Sequence, residues 1–292
     1  GATVFYGQKA SNVQDGTDLV VYTAAIHPDN PEYAAAVEKQ IPMISRAELL
    51  GQLMKNYKTP IAVSGTHGKT TTTSMASHIL LAADMDPTIS VGGILKAIDG
   101  NIRVGGHDTF ITEACEYTNS FLHFYPKISL ILNIDADHLD FFKDLDDIRH
   151  SFRLFAERLP QDGTLIINHE IPDCQKLVEG LSCNVITYGK GGDYEACNLA
   201  YDTMGHGSFD LVKGGNVLGH FCLNVPGEHN ISNALASLVL GDILGIPAET
   251  MAKGLMEFSG TNRRFEKKGE IGGVTIIDDY AHHPTEIKAT LT

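Results

Sequence analysis

The sequence has no basic excess: 22 lysines and arginines stand against 36 aspartates and glutamates, a formal charge of −14 over 292 residues. This excludes a general nucleic-acid binder or membrane-surface binder, since both neutralise phosphates with clustered lysine and arginine. An anionic ligand must instead be met locally, by loops, single cationic side chains and metal. No run approaches the ~18 apolar residues of a membrane span, and the first residues lack a basic segment followed by an apolar core. The five cysteines (Cys115, Cys174, Cys183, Cys197, Cys222) are odd in number and form no C-x-x-C pair. Free or buried thiols in a reducing compartment follow, and a cytoplasmic location is expected. Position 1 holds Gly1 rather than methionine, so a piece or processed form of a longer chain is expected. There is no internal repeat and no low-complexity segment. What is present, 43% apolar and 20% charged residues, is an ordinary soluble globular composition. The length suffices for two domains, or for one domain with pieces of others.

The most informative stretch is Ile61-Ala62-Val63-Ser64-Gly65-Thr66-His67-Gly68-Lys69-Thr70-Thr71-Thr72-Thr73. A β-branched apolar run enters a glycine turn, a lysine and a hydroxyl follow, and residues 74–83 are helix-compatible. Glycines let backbone N–H groups converge on an anion at the positive end of a helix. The lysine reaches terminal phosphates, and the next hydroxyl suits Mg²⁺. The usual pattern has a glycine five places before Gly68, but that place holds Val63, so the loop is a shortened variant. A glycine turn with an incidental lysine is the bland alternative. The complete strand-loop-helix context favours a nucleoside triphosphate site.

Around this stretch the chain alternates strand and helix. Val4-Phe5-Tyr6 and Leu19-Val20-Val21-Tyr22 are short apolar runs, residues 31–39 read as a helix, and Ser45 with Glu48 makes a capping box opening another that runs to about Tyr57. Residues 61–64, 110–112, 128–132, 164–167 and 185–188 read as buried strands, and 70–83, 145–159 and 171–180 as helices. Continuous apolar strands between helices imply a mostly parallel sheet covered on both faces, with ligands at the carboxyl ends of its strands. Between Cys197 and Val225 glycine punctuation implies a small antiparallel sheet. Residues 230–244 and 248–258 return to helix, and 274–277 begin a new strand. The expected fold class is α/β: a central P-loop domain with a mostly parallel, helix-covered sheet and a small antiparallel sheet, flanked by partial α/β domains.

Further candidates follow the strands. Glu113 ends one, with Glu116 three residues on; either is a Mg²⁺ ligand beside the phosphate loop or a solvated acid. His138 lies among Asp135, Asp137 and Asp140 after another strand, as a second metal ligand or as a structural histidine between turn caps. Asn230 is an N-cap or an amide that reads an adenine edge. Arg263 and Arg264 form a solvated patch or a clamp on a transferring phosphoryl group.

Taken in order, Gly65-Thr66-His67-Gly68-Lys69-Thr70-Thr71-Thr72, Glu113-Ala114-Cys115-Glu116-Tyr117, Asp137-His138-Leu139-Asp140, Gly227-Glu228-His229-Asn230, Arg263-Arg264-Phe265-Glu266 and Asp278-Asp279-Tyr280-Ala281-His282-His283-Pro284 resemble the Mur ligases over essentially the whole chain. The motifs are most similar to the branch that joins L-alanine to the lactyl carboxylate of UDP-N-acetylmuramate. The resemblance implies an ATP- and Mg²⁺-dependent enzyme of peptidoglycan precursor synthesis, acting through an acyl phosphate. It implies a partial UDP-sugar domain over residues 1–58, a central ATP-binding domain over 59–266 and the start of an amino-acid domain over 267–292. Lys69 would stabilise the migrating phosphoryl group, with Arg264 a phosphate contact and Asn230 an adenine contact. Thr70, Glu113 and His138 would ligate metal, and Asp279 would meet the nucleotide near a hinge. His282 and His283 are further candidates near the acyl phosphate or amine. A chain of this extent is expected to hold the ATP site without completing the ligation. The rivals are a recycling ligase that attaches a ready-made tripeptide, a kinase acting on a hydroxyl, and a nucleotide-gated binding module.

Overall fold

A computed structural model describes residues 2–260, 266–279, 281 and 287–288. In chain order the elements are β1 (Val20–Tyr22), α1 (Pro31–Glu38), β2 (Met43–Ser45), α2 (Arg46–Met54), β3 (Thr59–Ser64), α3 (Lys69–Ala82), β4 (Thr88–Leu95), β5 (Gly100–Arg103), β6 (Thr109–Glu113), β7 (Ile128–Ile131), α4 (Leu145–Ala156) and β8 (Thr164–Asn168). There follow α5 (Cys174–Val178), β9 (Asn184–Tyr188), β10 (Tyr194–Tyr201), β11 (His206–Lys213), β12 (Asn216–Pro226), α6 (Glu228–Ile243), α7 (Ala248–Glu257), β13 (Glu266–Ile271) and β14 (Val274–Asp278).

Ten strands form one sheet in the order β12-β11-β10-β9-β8-β7-β3-β6-β4-β5. From β9 to β4 every neighbouring pair is parallel, while β5, β11 and β12 run antiparallel to their neighbours. The expected α/β class is therefore present, antiparallel strands included. Those strands extend the parallel sheet, joined to it where Tyr194 of β10 pairs with Tyr188 of β9. β1 and β2 pair in parallel as a separate two-stranded sheet, and β13 and β14 form a hairpin.

The central strands are buried on both faces, which is why they read as unbroken apolar runs. Alternation sends Ile61 and Val63 of β3 into one core with Met75 and Ile79 of α3 and Leu238 of α6, and Ala62 into a second with Phe152 and Phe155 of α4. In the second core Phe121 stacks on Phe155 at 4.6 Å and meets Phe152 edge-on at 5.4 Å, fixing the short 3₁₀ segment Tyr117–His123 beside the sheet. On the other face α7 packs tightly on α3: a Cβ at Gly254 would lie 2.7 Å from the Cα of Ile79.

The Ser45–Glu48 capping box forms as expected, the Ser45 N–H donating to Glu48 at 2.6 Å and the Glu48 N–H to the Ser45 hydroxyl at 3.1 Å. The backbone N–H of Ser45 holds the Glu48 carboxyl below the usual range. By contrast Val4-Phe5-Tyr6 forms no strand, and all three residues are exposed. β2, β4 and β5 escape the sequence pattern: β2 is three residues long, and β4 carries Gly92-Gly93 in its middle. Among the described residues, no helix is long and apolar enough to cross a membrane.

Candidate functional site

The sheet reverses its winding at β3: β4 and β6 lie to one side of it and β7 to the other. Three loops therefore leave carboxyl ends beside one another: residues 65–68 after β3, 114–116 after β6 and 132–140 after β7. Such a switch point is where open α/β sheets bind ligands.

The first loop is shaped by its two glycines. Gly65 has φ +146° and Gly68 φ +82°. A Cβ at Gly65 would sit 2.9 Å from the Cβ of Leu132, and one at Gly68 would sit 2.5 Å from Oδ1 of Asn233. Between them the backbone is pinned by the loop after β7. The side chain of Asn133 accepts from the His67 N–H at 2.7 Å and donates to the His67 carbonyl at 3.0 Å. The Thr66 hydroxyl accepts from the Asp135 N–H at 2.9 Å, and the His67 ring lies 3.5 Å from an Asp135 oxygen. The loop then passes into α3, whose first turn holds Lys69, Thr70 and Thr71. With Thr66 and His67 pinned to Asn133, the loop turns the helix N-terminus toward one point, the arrangement that takes phosphate.

Thr70 and Glu113 are brought together. The Thr70 hydroxyl donates to one Glu113 oxygen at 3.1 Å, and the Gly92 N–H donates to the other at 2.5 Å. A Cβ at Gly92 would come within 2.9 Å of that carboxylate, so this glycine of β4 makes room for it. Lys69 is turned back over its own loop. Its ammonium donates to the carbonyls of Gly65 (2.5 Å) and Thr66 (3.0 Å) and to Glu116 at 2.9 and 3.2 Å. Glu116 is almost wholly buried, at 1% exposure.

His138 stands on the other side of Glu116, its Nε2 3.9 Å from a Glu116 oxygen and 3.9 Å from Asp137. It has φ +52°, a conformation uncommon outside glycine, and its ring packs at a tilt against that of Tyr117, centroids 4.7 Å apart. The Tyr117 hydroxyl donates to Asp140 at 2.9 Å, and this bond pushes the phenol's pKa up. His138 is thus grouped with Glu116, not with the Thr70–Glu113 pair.

Asn230 does not cap α6; that position is Gly227, at φ +100°. Its amide donates to the Pro226 carbonyl at 2.7 Å and accepts from Asn233 at 3.1 Å. Asn233 in turn accepts from the Thr72 hydroxyl at 3.3 Å, so a buried amide ladder ties the start of α6 to α3 beneath the phosphate loop. Burial holds the neighbouring His229 imidazole below its usual pKa, against an opposing pull from Asp279. Asp279 accepts from the Ala281 N–H at 2.7 Å. Arg264, with Arg263, His282 and His283, lies outside the described residues.

The donor set at Thr70 and Glu113, two hard oxygens at adjoining strand and helix ends, fits Mg²⁺, which typically takes one or two protein oxygens and completes its shell with phosphate and water. Among the described residues no three His, Cys, Asp or Glu side chains converge on a metal position. Sequence reasoning missed Asn133, Asn233 and Gly92, and weighed Glu116 as a Mg²⁺ ligand or a solvated acid rather than as the partner of Lys69. Their partners lie far along the chain; only the i, i+3 spacing of Asn230 and Asn233 was a local signal.

The chain belongs to the Mur ligase family. The Mur ligase middle domain matches residues 63–241, the family's catalytic domain residues 1–58, and its glutamate ligase domain residues 263–292. Among curated relatives, the UDP-N-acetylmuramate–L-alanine ligases of Lachnospira eligens and Agathobacter rectalis are 57% and 58% identical to it over its whole length. The chain spans 64% of the length of each of these relatives. Among solved structures, UDP-N-acetylmuramate-alanine ligase MurC from Thermotoga maritima is 31% identical, with a TM-score of 0.85 over 98% of this chain and 65% of that one. A UDP-N-acetylmuramate:L-alanyl-γ-D-glutamyl-meso-diaminopimelate ligase from Neisseria is 25% identical, with a TM-score of 0.79 over 89% of this chain and 84% of that one.

Proposed function

We propose that this chain carries the nucleotide site of an ATP-dependent ligase that joins L-alanine to the lactyl carboxylate of UDP-N-acetylmuramate, in peptidoglycan precursor synthesis. The observation that carries the reading is the glycine loop after β3 that leads into Lys69 and Thr70 at the start of α3, with Thr70 bonded to Glu113 at the end of β6, in a chain 57–58% identical to ligases of that name. Residues 1–58 are assigned to a UDP-sugar domain, 59–266 to the ATP-binding domain and 267–292 to the start of an amino-acid domain. A cytoplasmic location, where ATP and both other substrates occur, is part of the same reading.

In the first step a carboxylate oxygen of the sugar attacks the γ-phosphorus of ATP; the bond to the bridging oxygen breaks and ADP leaves. In the second the alanine amine attacks the acyl carbon, the acyl–oxygen bond breaks, inorganic phosphate leaves and the amine loses a proton. Little covalent help is needed from the protein, so positioning and charge stabilisation dominate. The loop Gly65-Thr66-His67-Gly68 is assigned to the phosphates: Asn133 holds the Thr66 and His67 N–H groups and so sets the loop's shape, while the N–H groups of the two glycines and of the first turn of α3 through Thr71 face the anion. Lys69 and Arg264 neutralise charge on the migrating group. Thr70 and Glu113 would hold Mg²⁺, which when bound draws charge from phosphate oxygens. His138 is assigned as a further metal ligand, its Nε2 now 3.9 Å from a Glu116 oxygen. Asn230 is assigned to the adenine edge and Asp279 to the nucleotide near the last domain.

The intermediate separates this reading from a kinase. In a protein carrying this chain at the length of its relatives, Mg²⁺-ATP and UDP-N-acetylmuramate without alanine are expected to yield a hydroxamate when hydroxylamine is added. A phosphorylated hydroxyl inert to hydroxylamine would assign a kinase instead.

A further inference from the structure

We propose that Glu116 is a positioning residue that holds Lys69 retracted on its own loop until the phosphates of a nucleotide draw it away; this rests on the nucleotide-site reading above. The ammonium of lysine has three N–H donors. Here Gly65, Thr66 and Glu116 engage all of them, at 2.5, 3.0 and 2.9 Å. A phosphate can gain Lys69 only if one of these contacts breaks. The two carbonyls belong to the loop and travel with it. Glu116 belongs to a different segment, and is the partner that phosphate replaces, one anion for another.

Three features suit Glu116 to this exchange. First, it takes no part in the Thr70–Glu113 pair, since Glu113 is engaged by Thr70 and Gly92. Second, its place is fixed from behind: the residues after it include Thr118 and Asn119 at φ +55° and +56°, and Phe121 locks that segment into the core by stacking on Phe155. Consecutive left-handed residues persist only where packing over-determines them. Third, when Lys69 departs, the buried carboxylate has a second neighbour in the His138 ring, now 3.9 Å away. That neighbour is polar, so the carboxylate does not face an apolar wall when the ammonium leaves.

A binding-competent state that is only partly populated lowers apparent affinity by its fraction. Glu116→Gln keeps the shape and an acceptor but removes the anion, so the retracted state loses population. The test is calorimetric titration of this chain and its Glu116→Gln and Glu116→Asp variants with the Mg²⁺ complex of a non-hydrolysable ATP analogue, and separately with adenosine. Glu116→Gln is expected to bind the triphosphate about tenfold more tightly and adenosine unchanged. Glu116→Asp, whose shorter side chain reaches Lys69 poorly, is expected to shift the same way by less, and decides the matter if the glutamine variant does not fold. A merely structural glutamate would weaken both ligands alike. Unchanged or weaker triphosphate binding in the variants, with the parent chain binding normally, overturns the proposal. A parent chain that binds neither ligand overturns the nucleotide-site reading itself, and this proposal with it.

Discussion

Lys69→Ala is expected to lower the rate of ADP formation by about 10²–10³-fold, the range for removing one donor aimed at developing charge in a water-poor site. Lys69 heads α3 with its side chain only 15% exposed, within reach of the loop that would cradle the phosphates. No neighbouring lysine or arginine among the described residues substitutes for it: the basic side chains nearest the loop are histidines, His67 beside Asp135 and His138 beside Glu116. The substitution also strands Glu116, and breaking a buried pair from one side costs about 3–5 kcal/mol of stability. Combining Lys69→Ala with Glu116→Gln separates the effects. The double variant is expected to recover most of the melting temperature while turnover stays low. Single-turnover ADP release and a thermal melt on both variants, in a protein of the relatives' full length, make the comparison. Recovery of turnover in the double variant would show that Lys69 acts on stability alone.

Gly68→Ala has the next largest expected effect. At φ +82° a side chain costs on the order of 1–2 kcal/mol, before any contact is counted. The new Cβ would stand 2.5 Å from Oδ1 of Asn233, the middle member of the ladder from Asn230 to Thr72. Asn233 is buried among these partners and has nowhere to turn without leaving them unpaired, which adds about 1–3 kcal/mol. Chemical denaturation is expected to register a loss of about 2–5 kcal/mol. Nucleotide affinity falls with it, because the cradle must open to admit the methyl group. Gly245→Ala is the control: φ is +74° there, with nothing within 4 Å of the added Cβ. A loss at Gly68 no larger than at Gly245 would mean that the Asn233 contact carries no weight.

How far the sequence disclosed this site depends on chain distance. The strand, glycine turn, lysine and hydroxyl of the phosphate loop are consecutive, so their chemistry is legible without a fold. Glu113 and the acids around His138 are legible at one remove, because a polar residue after a buried strand must sit at a carboxyl edge. The partnerships are not legible. Lys69 meets Glu116 across 47 residues, His67 meets Asn133 across 66 and Thr72 meets Asn233 across 161. Glu116 in particular is indistinguishable from a solvated acid until the fold shows it to be buried against Lys69.

The fold follows the same rule. The parallel strands announce themselves because burial on both faces leaves nothing polar in them. β4 is broken by Gly92-Gly93, and one of those glycines is there to admit the carboxylate of Glu113, so a requirement of the site hides a strand of the sheet. The exposed run Val4-Phe5-Tyr6 shows the converse, an apolar stretch that pairs with no strand among the described residues. The antiparallel strands were legible from their glycine spacing, but their junction with the main sheet rests on one residue pair, Tyr188 and Tyr194, that no local pattern marks.

The measurement that bears most directly on the proposed ligase is ADP release by a protein carrying this chain at the length of its relatives, supplied with Mg²⁺-ATP and UDP-N-acetylmuramate and then with L-alanine or the tripeptide in turn. The account predicts sustained release that depends on L-alanine. Release that depends on the tripeptide alone would contradict it in favour of the recycling ligase. No release with either, alongside tight ATP binding, would contradict it in favour of a nucleotide-gated module.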